Sequence, residues 1–173
     1  MAIATTDLIW RLSGGASNTD PAAALGGAMS TAGGGVITKT KTFNSIFDDV
    51  TGAEAAAGDI EYRCIYIHNE HATLTLSSAK VWIEANTTNT EIDIGLDLAG
   101  KDGTADTIAD ESTAPDPAVT FAHNCTAYAS GLALGNLAAG EGYAIWIRRT
   151  IAASKVATDD DNFTLKIQGE TSA

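Results

Sequence analysis

Histidine, cysteine and proline are scarce in this chain, with three, two and three residues among 173, and its 10 basic side chains face 22 acidic ones, a formal net charge of -12. Each shortage removes a class of function. With only His68, His71 and His123 to act as imidazole bases, and no Gly-x-Ser-x-Gly turn, nucleophilic hydrolysis has little support. Two cysteines, Cys64 and Cys125, are too few for a disulfide framework and read as reduced thiols. The acidic balance disfavours phosphate backbones and anionic membranes, so no nucleic acid and no membrane is expected as a partner. No segment approaches the roughly 20 apolar residues of a membrane span. Met1 to Asp7 lacks the basic stretch and apolar run of a secretory signal, so a soluble protein made and kept in a cytoplasm is expected. The glycosylation-like triplets at Asn86, Asn124 and Asn162 carry no weight without a secretory route.

The chain does have material for a core, 45% hydrophobic against 18% charged residues, and its length suits one domain. Its dominant pattern has a period of two, the mark of strands whose side chains point alternately to opposite faces. Ile92, Ile94, Leu96 and Leu98 alternate with Asp93, Gly95 and Asp97; Val81 and Ile83 alternate with Trp82 and Glu84. Tyr143, Ile145 and Ile147 oppose Ala144, Trp146 and Arg148, and Phe163, Leu165 and Ile167 oppose Thr164, Lys166 and Gln168. Ile60 to Asn69 is apolar on both faces and predicts a central strand. Leu8 to Leu12, Val36 to Thr42, Ala72 to Leu76 and Ala118 to Phe121 are shorter strand candidates. Helical signal is confined to a turn at Thr51 to Gly58, and Ser130 to Ala139 fits neither period. Eight or nine short strands divided by Gly, Asn and Asp turns predict an all-β fold, a β-sandwich or jelly roll.

Two stretches stand apart. Ser13 to Gly35 is crowded with Gly, Ala, Ser and Asn around Pro21 and predicts an extended Gly/Ala-rich N-terminal arm or long surface loop, so that residues 1–35 form a strand plus arm and residues 36–173 the sandwich body. Lys101 to Pro117, with Asp102, Asp106, Asp110, Glu111, Asp116 and two prolines, predicts a solvated excursion kept out of the core.

Site chemistry is thin. His68 and His71 flank Glu70 at a strand end, where a metal can in principle bind two imidazoles, but polar neighbours favour plain turn residues. Asp97, Asp102, Asp106 and Asp159 to Asp161 lack the spacing of a calcium loop, so neither a metal nor any other cofactor is expected. Trp10, Trp82 and Trp146 can stack on a sugar if exposed, or be buried between sheets. Asn18-Thr19-Asp20-Pro21 has the chemistry of a hydrogen-bonded turn and, set in the Gly-rich arm, of a docking segment.

Leu12-Ser-Gly-Gly-Ala-Ser-Asn-Thr-Asp-Pro21 with Leu25-Gly-Gly27, Phe47-Asp-Asp-Val-Thr-Gly52, Gly58-Asp-Ile-Glu-Tyr-Arg63, Val81-Trp-Ile83, Glu111-Ser-Thr-Ala-Pro115 and Ala144-Ile-Trp-Ile-Arg-Arg149 together resemble virion structural proteins of tailed bacteriophages, capsid decoration or cement proteins among them. The resemblance implies a non-enzymatic sandwich made in the host cytoplasm and present in many copies on the capsid surface. There it would bind the major capsid protein or other virion proteins and associate with itself. On that reading the interface residues are Trp10, Arg11, Ser13, Asn18, Thr19, Asp20, Pro21 and Leu25. A tail, collar or baseplate component, or a carbohydrate-binding module using Trp82 or Trp146, are the other readings.

Overall fold

The computed structural model describes residues 2–40, 43–156, 158 and 161–171. Its strands are β1 (Leu8–Leu12), β2 (Val36–Ile37), β3 (Asp59–Asn69), β4 (Leu76–Ala85), β5 (Glu91–Lys101), β6 (Leu132–Leu137), β7 (Gly142–Ile151) and β8 (Thr164–Thr171), with one short helix, α1 (Gly52–Ala57). Every pairing is antiparallel. A five-stranded sheet runs β2-β1-β3-β7-β5 and a three-stranded sheet β6-β4-β8. The predicted all-β sandwich is the observed fold.

Between the sheets lies a core of Ile65, Ile67, Val81, Ile83, Ile92, Ile94, Leu134, Leu137, Ile145 and Ile147, all buried. Apart from Leu134 and Leu137, the alternation read from the sequence puts these residues inward. β3 occupies the middle of the larger sheet, as its two apolar faces require.

Its other face carries Tyr62, Cys64 and Tyr66, and from β7 Ala144 and Trp146, also buried. Among the described residues no third sheet covers them. The cover comes from the two stretches the sequence set apart, through Leu25, Met29, Ala105 and Ile108, and from Val119 and Phe121 just beyond the second. The acidic excursion therefore does contribute to a core, contrary to the expectation from its charge, because Ala105 and Ile108 are 2% and 6% exposed. The Ser13 to Gly35 segment likewise folds back over the sheet rather than projecting from it. The two stretches complete the ladder where β1 ends: the Cys64 N–H donates to Ala24 O of the first at 2.8 Å and the Tyr62 N–H to Glu111 O of the acidic excursion at 2.7 Å.

The two covering stretches are locked to each other. Gly27 bridges Ala105, and the Ile108 N–H donates to Leu25 O at 3.0 Å. Gly26 has φ +92°, and a Cβ there would fall 1.7 Å from Asp106 O, so only glycine allows this approach. Beneath the contact, the Tyr66 hydroxyl donates toward Gly27 O (2.8 Å) and Gly103 O (3.2 Å) and accepts from the Ala105 N–H (2.9 Å). Burial pushes its pKa up to about 12.

Several local expectations change. Only Val36 and Ile37 of the Val36 to Thr42 candidate pair as a strand, and Lys41 and Thr42 lie outside the described residues. Ala72 to Thr75 precede β4 instead of forming a strand, and Ala118 to Phe121 is irregular chain beside Ala122, whose backbone bridges Ile94 on the edge of β5. The ambiguous Ser130 to Ala139 contains β6. The helical turn is α1, closed by a capping box in which the Thr51 hydroxyl accepts from the Glu54 N–H and Glu54 accepts from the Thr51 N–H.

Tyr66→Phe should cost about 1–3 kcal/mol by leaving buried backbone groups without a partner. Urea unfolding measures the loss, and faster proteolysis within residues 101–117 should accompany it.

Candidate interaction surface

The residues marked as an interface do not form one surface. Trp10, in register with Ile67, faces the other sheet and packs half-buried against the intersheet core. Arg11 points to the opposite face, where its guanidinium binds Glu70 and its Nη1 donates to Ser30 O at 3.3 Å. That guanidinium holds the Glu70 carboxyl below its ordinary range. Ser13 is fully buried, its hydroxyl accepting from the Gly26 N–H at 3.1 Å. Asn18 donates to Ser13 O (2.6 Å) and accepts from the Asp20 N–H (2.8 Å); Asp20 accepts from the Ala22 N–H (3.0 Å), capping a single helical turn that starts at Pro21. Leu25 is half-buried over the sheet. The exposed crown of this segment is Thr19, Asp20, Ala22 and Ala23, and these are the side chains free to meet a partner.

A groove of about 970 Å³ opens between the sheets, lined among others by Trp10, Ile37, Phe47, Phe163, Leu165 and Ile167. At its lower end charged side chains share the interior with hydrophobic ones. Glu61 and Arg63 on β3 are in phase with Ile65 and Ile67, and Arg149 on β7 with Ile145 and Ile147, so all three point inward and are nearly fully buried. Arg149 Nε donates to Glu61 and its Nη1 to Asp48 O at 2.8 Å; Arg63 donates to Glu111 and to Tyr62 O. The Phe47 ring lies against both guanidiniums, 4.6 Å from that of Arg149 and 5.6 Å from that of Arg63. Burial pushes the Glu61 carboxyl upward, opposed by the hydrogen bond and charge of Arg149. The cluster pins the segment before α1 and the acidic excursion to the base of the sandwich. Charged residues of opposite sign in the inward phase of two strands are the signal that marks such a cluster, and the sequence reading passed over it.

The remaining candidates are structural. His71 Nδ1 accepts from the Thr73 and Leu74 N–H groups, and His68 Nε2 lies 2.9 Å from Gly140 O, so both histidines shape the turn after β3. Among the described residues three carboxylate groupings have metal-like spacing. Glu91, Asp93 and His123 enclose an Asp93 bound to Arg148, Asp48, Glu61 and Glu111 are matched by Arg63 and Arg149, and in Glu54, Asp59 and Glu61 the first carboxylate is spent on the capping box. Asp97 Oδ2 accepts from Trp146 Nε1 at 2.8 Å. Trp146 is fully buried and Trp82 is 5% exposed, so neither offers a stacking face. Asp161 accepts from the N–H groups of Thr88, Asn89 and Thr90 and so ties the chain entering β8 to the β4–β5 hairpin. Burial opposes ionisation of Asp161, but these donors outweigh it and hold the carboxyl below its ordinary range. Asp159 and Asp160 lie outside the described residues.

Comparison with family models, curated proteins and solved structures finds no match to the chain.

Two outcomes follow from these ties. Glu61→Ala leaves buried guanidinium without its partner and should cost about 3–5 kcal/mol, whereas Lys101→Ala, which removes a partly exposed pair with Glu141 and a hydrogen bond to Asn136 O, should cost about 0.5–2 kcal/mol; chemical denaturation of both variants separates the two. For Asp161→Asn, a depressed folded pKa means stabilisation present above the unfolded value of about 3.9 and lost as pH falls through the folded one. The wild-type advantage should be near 1–3 kcal/mol at neutral pH and close in acid, as thermal melts across pH will show.

Proposed function

We propose that this chain is a non-enzymatic virion structural protein of a tailed bacteriophage, a capsid decoration or cement protein that binds the major capsid protein and stabilises the head. The observation that carries the reading is the use to which its reactive groups are put. Glu61, Arg63, Arg149 and Asp161 hold loops to the sandwich, Asp97 joins β5 to β7 through Trp146, and His71 closes its own turn. Such a distribution suits a part whose task is a durable shape. The segment resemblances that run from Leu12 to Arg149 supply the virion assignment, and the acidic charge suits a protein on the outside of a shell, away from packaged DNA.

A tail, collar or baseplate place is the second reading, since a sandwich serves in each. A carbohydrate-binding role is disfavoured by the burial of Trp82 and Trp146. Removing Ser13 to Gly35 would not isolate a docking segment, because the deletion would strip the cover from Tyr62, Cys64 and Tyr66. The crown is tested instead through its exposed side chains. Thr19→Arg with Ala22→Arg should leave the melting temperature unchanged and lower occupancy on purified heads at least about tenfold, the effect of some 1.4 kcal/mol. Full occupancy would remove the crown from the interface, and gold labelling on tails instead of heads would move the protein to the second reading.

A further inference from the structure

The two sheets differ in how their edges are finished. On the larger sheet, β2 is only two residues long, and β5 is screened by Ala122, paired with Ile94, and by the Asn86 side chain, which donates to Ile92 O and accepts from the Ile92 N–H. On the smaller sheet, β6 is broken by Gly135 at φ +76°, where its register with β4 shifts. β8 differs from all of these. It is eight residues long, with neither proline nor a residue of positive φ, and is paired on one side to β4. Among the described residues no backbone hydrogen bond joins its other side to the rest of the chain.

Which groups that side presents follows from the ladder. The Ile83 N–H turns away from β8 to donate to Cys125 O at 2.9 Å. Leu165, opposite Ile83, is therefore in a non-hydrogen-bonded pair, and its own N–H and C=O point outward. By alternation the same holds for Ile167, Gly169 and Thr171. The side chains of Leu165, Ile167 and Thr171 lie on the inner face, while Lys166, Gln168 and Glu170 stand exposed on the outer face.

We propose that this edge pairs with β8 of a second copy of the chain, antiparallel about a twofold axis through Gln168, joining two three-stranded sheets into one of six strands. The twofold places Ile167 opposite Gly169 of the other copy and Leu165 opposite Thr171, all of them residues whose N–H and C=O face outward, so the ladder closes without a bulge. It also sets Lys166 opposite Glu170, twice. These fall in non-hydrogen-bonded pairs, where side chains approach most closely. The charges select this register. A slip of one residue in either strand pairs inward with outward side chains, centring on Lys166 or on Glu170 sets like charges face to face, and centring on Ile167 leaves both charges opposite uncharged residues. An edge that is self-complementary in this way fits an isologous dimer.

The inference deepens the self-association that the sequence resemblance implies and does not need the virion assignment. The test uses charge exchange on the full chain. Lys166→Glu places Glu opposite Glu, and Glu170→Lys places Lys opposite Lys, so each variant alone should dimerise at least about tenfold more weakly than wild type in sedimentation equilibrium, two attractive pairs having become repulsive. An equimolar mixture restores both pairs and should recover the wild-type dimer. Circular dichroism and thermal melts of each variant monitor the fold, which matters because Lys166 also contacts Glu84. A monomeric wild type, a dimer indifferent to either substitution, or a mixture that fails to recover overturns the proposal. Head occupancy by a monomeric wild type would overturn it while leaving the proposed function standing.

Discussion

The structure depends on the pairing of β3 with β7, two strands that are apolar on both faces. Their ten-residue register aligns Ile65 with Ile145 and Cys64 with Trp146, so the centre of the larger sheet has an intersheet face and an outer face of comparable hydrophobicity. Leaving either in water would forfeit about 1.5–3 kcal/mol for each large side chain. The smaller sheet satisfies one face. The other has no strands to cover it, and the long segments after β1 and after β5 are folded down to serve instead. Their conformation follows from that demand: glycines where backbones must nearly touch, one apolar residue per few polar ones, and the Tyr66 hydroxyl supplying donors and acceptors that irregular chain cannot supply to itself.

The charged cluster at the base answers a different constraint. The loops that enter α1 and return from the acidic excursion bring few large apolar side chains, Ile46 and Phe47 among them, and are held by Asp48 and Glu111 on buried guanidiniums. A buried pair of this kind gives little net stability compared with apolar packing, yet losing one member is costly. It therefore restricts where Asp48 and Glu111 can sit.

The body of the sandwich was legible because its strands alternate and because its central strand does not. β6 was not, since Gly135 breaks the phase between Leu134 and Leu137 and the remaining residues are Leu, Ala, Gly and Asn with weak strand preference. The covering layer was misread for a compositional reason: in Lys101 to Pro117 the five acidic side chains outnumber the four alanine and isoleucine residues, and average composition hides that Ala105 and Ile108 pack against the sheet. The turn at Asn18 to Pro21 was readable as a hydrogen-bonded turn, since Asn and Asp side chains close such turns locally, while the partners of Arg11 and Ser13 depend on where the segment lands. Glu61 and Arg149 stand 88 residues apart, and only their shared inward phase connects them.

The use of cations inside the fold also shapes what the outside can do. Arg11, Arg63, Arg148 and Arg149 are bound to carboxylates of the same chain, and Lys39 and Lys80 to backbone carbonyls. The surface is left with most of the net charge of -12. Copies of the chain repel one another at distances within the Debye length, about 8 Å at physiological salt, so close association requires a strip whose own charges cancel. β8 is such a strip, with one lysine and one glutamate symmetrically placed about Gln168 and an unpaired backbone between them. Added salt weakens the general repulsion between copies and the local lysine–glutamate attraction together, but leaves the backbone ladder intact. In the proposed dimer, association through β8 is therefore governed by hydrogen-bond register, with charge deciding which register is allowed.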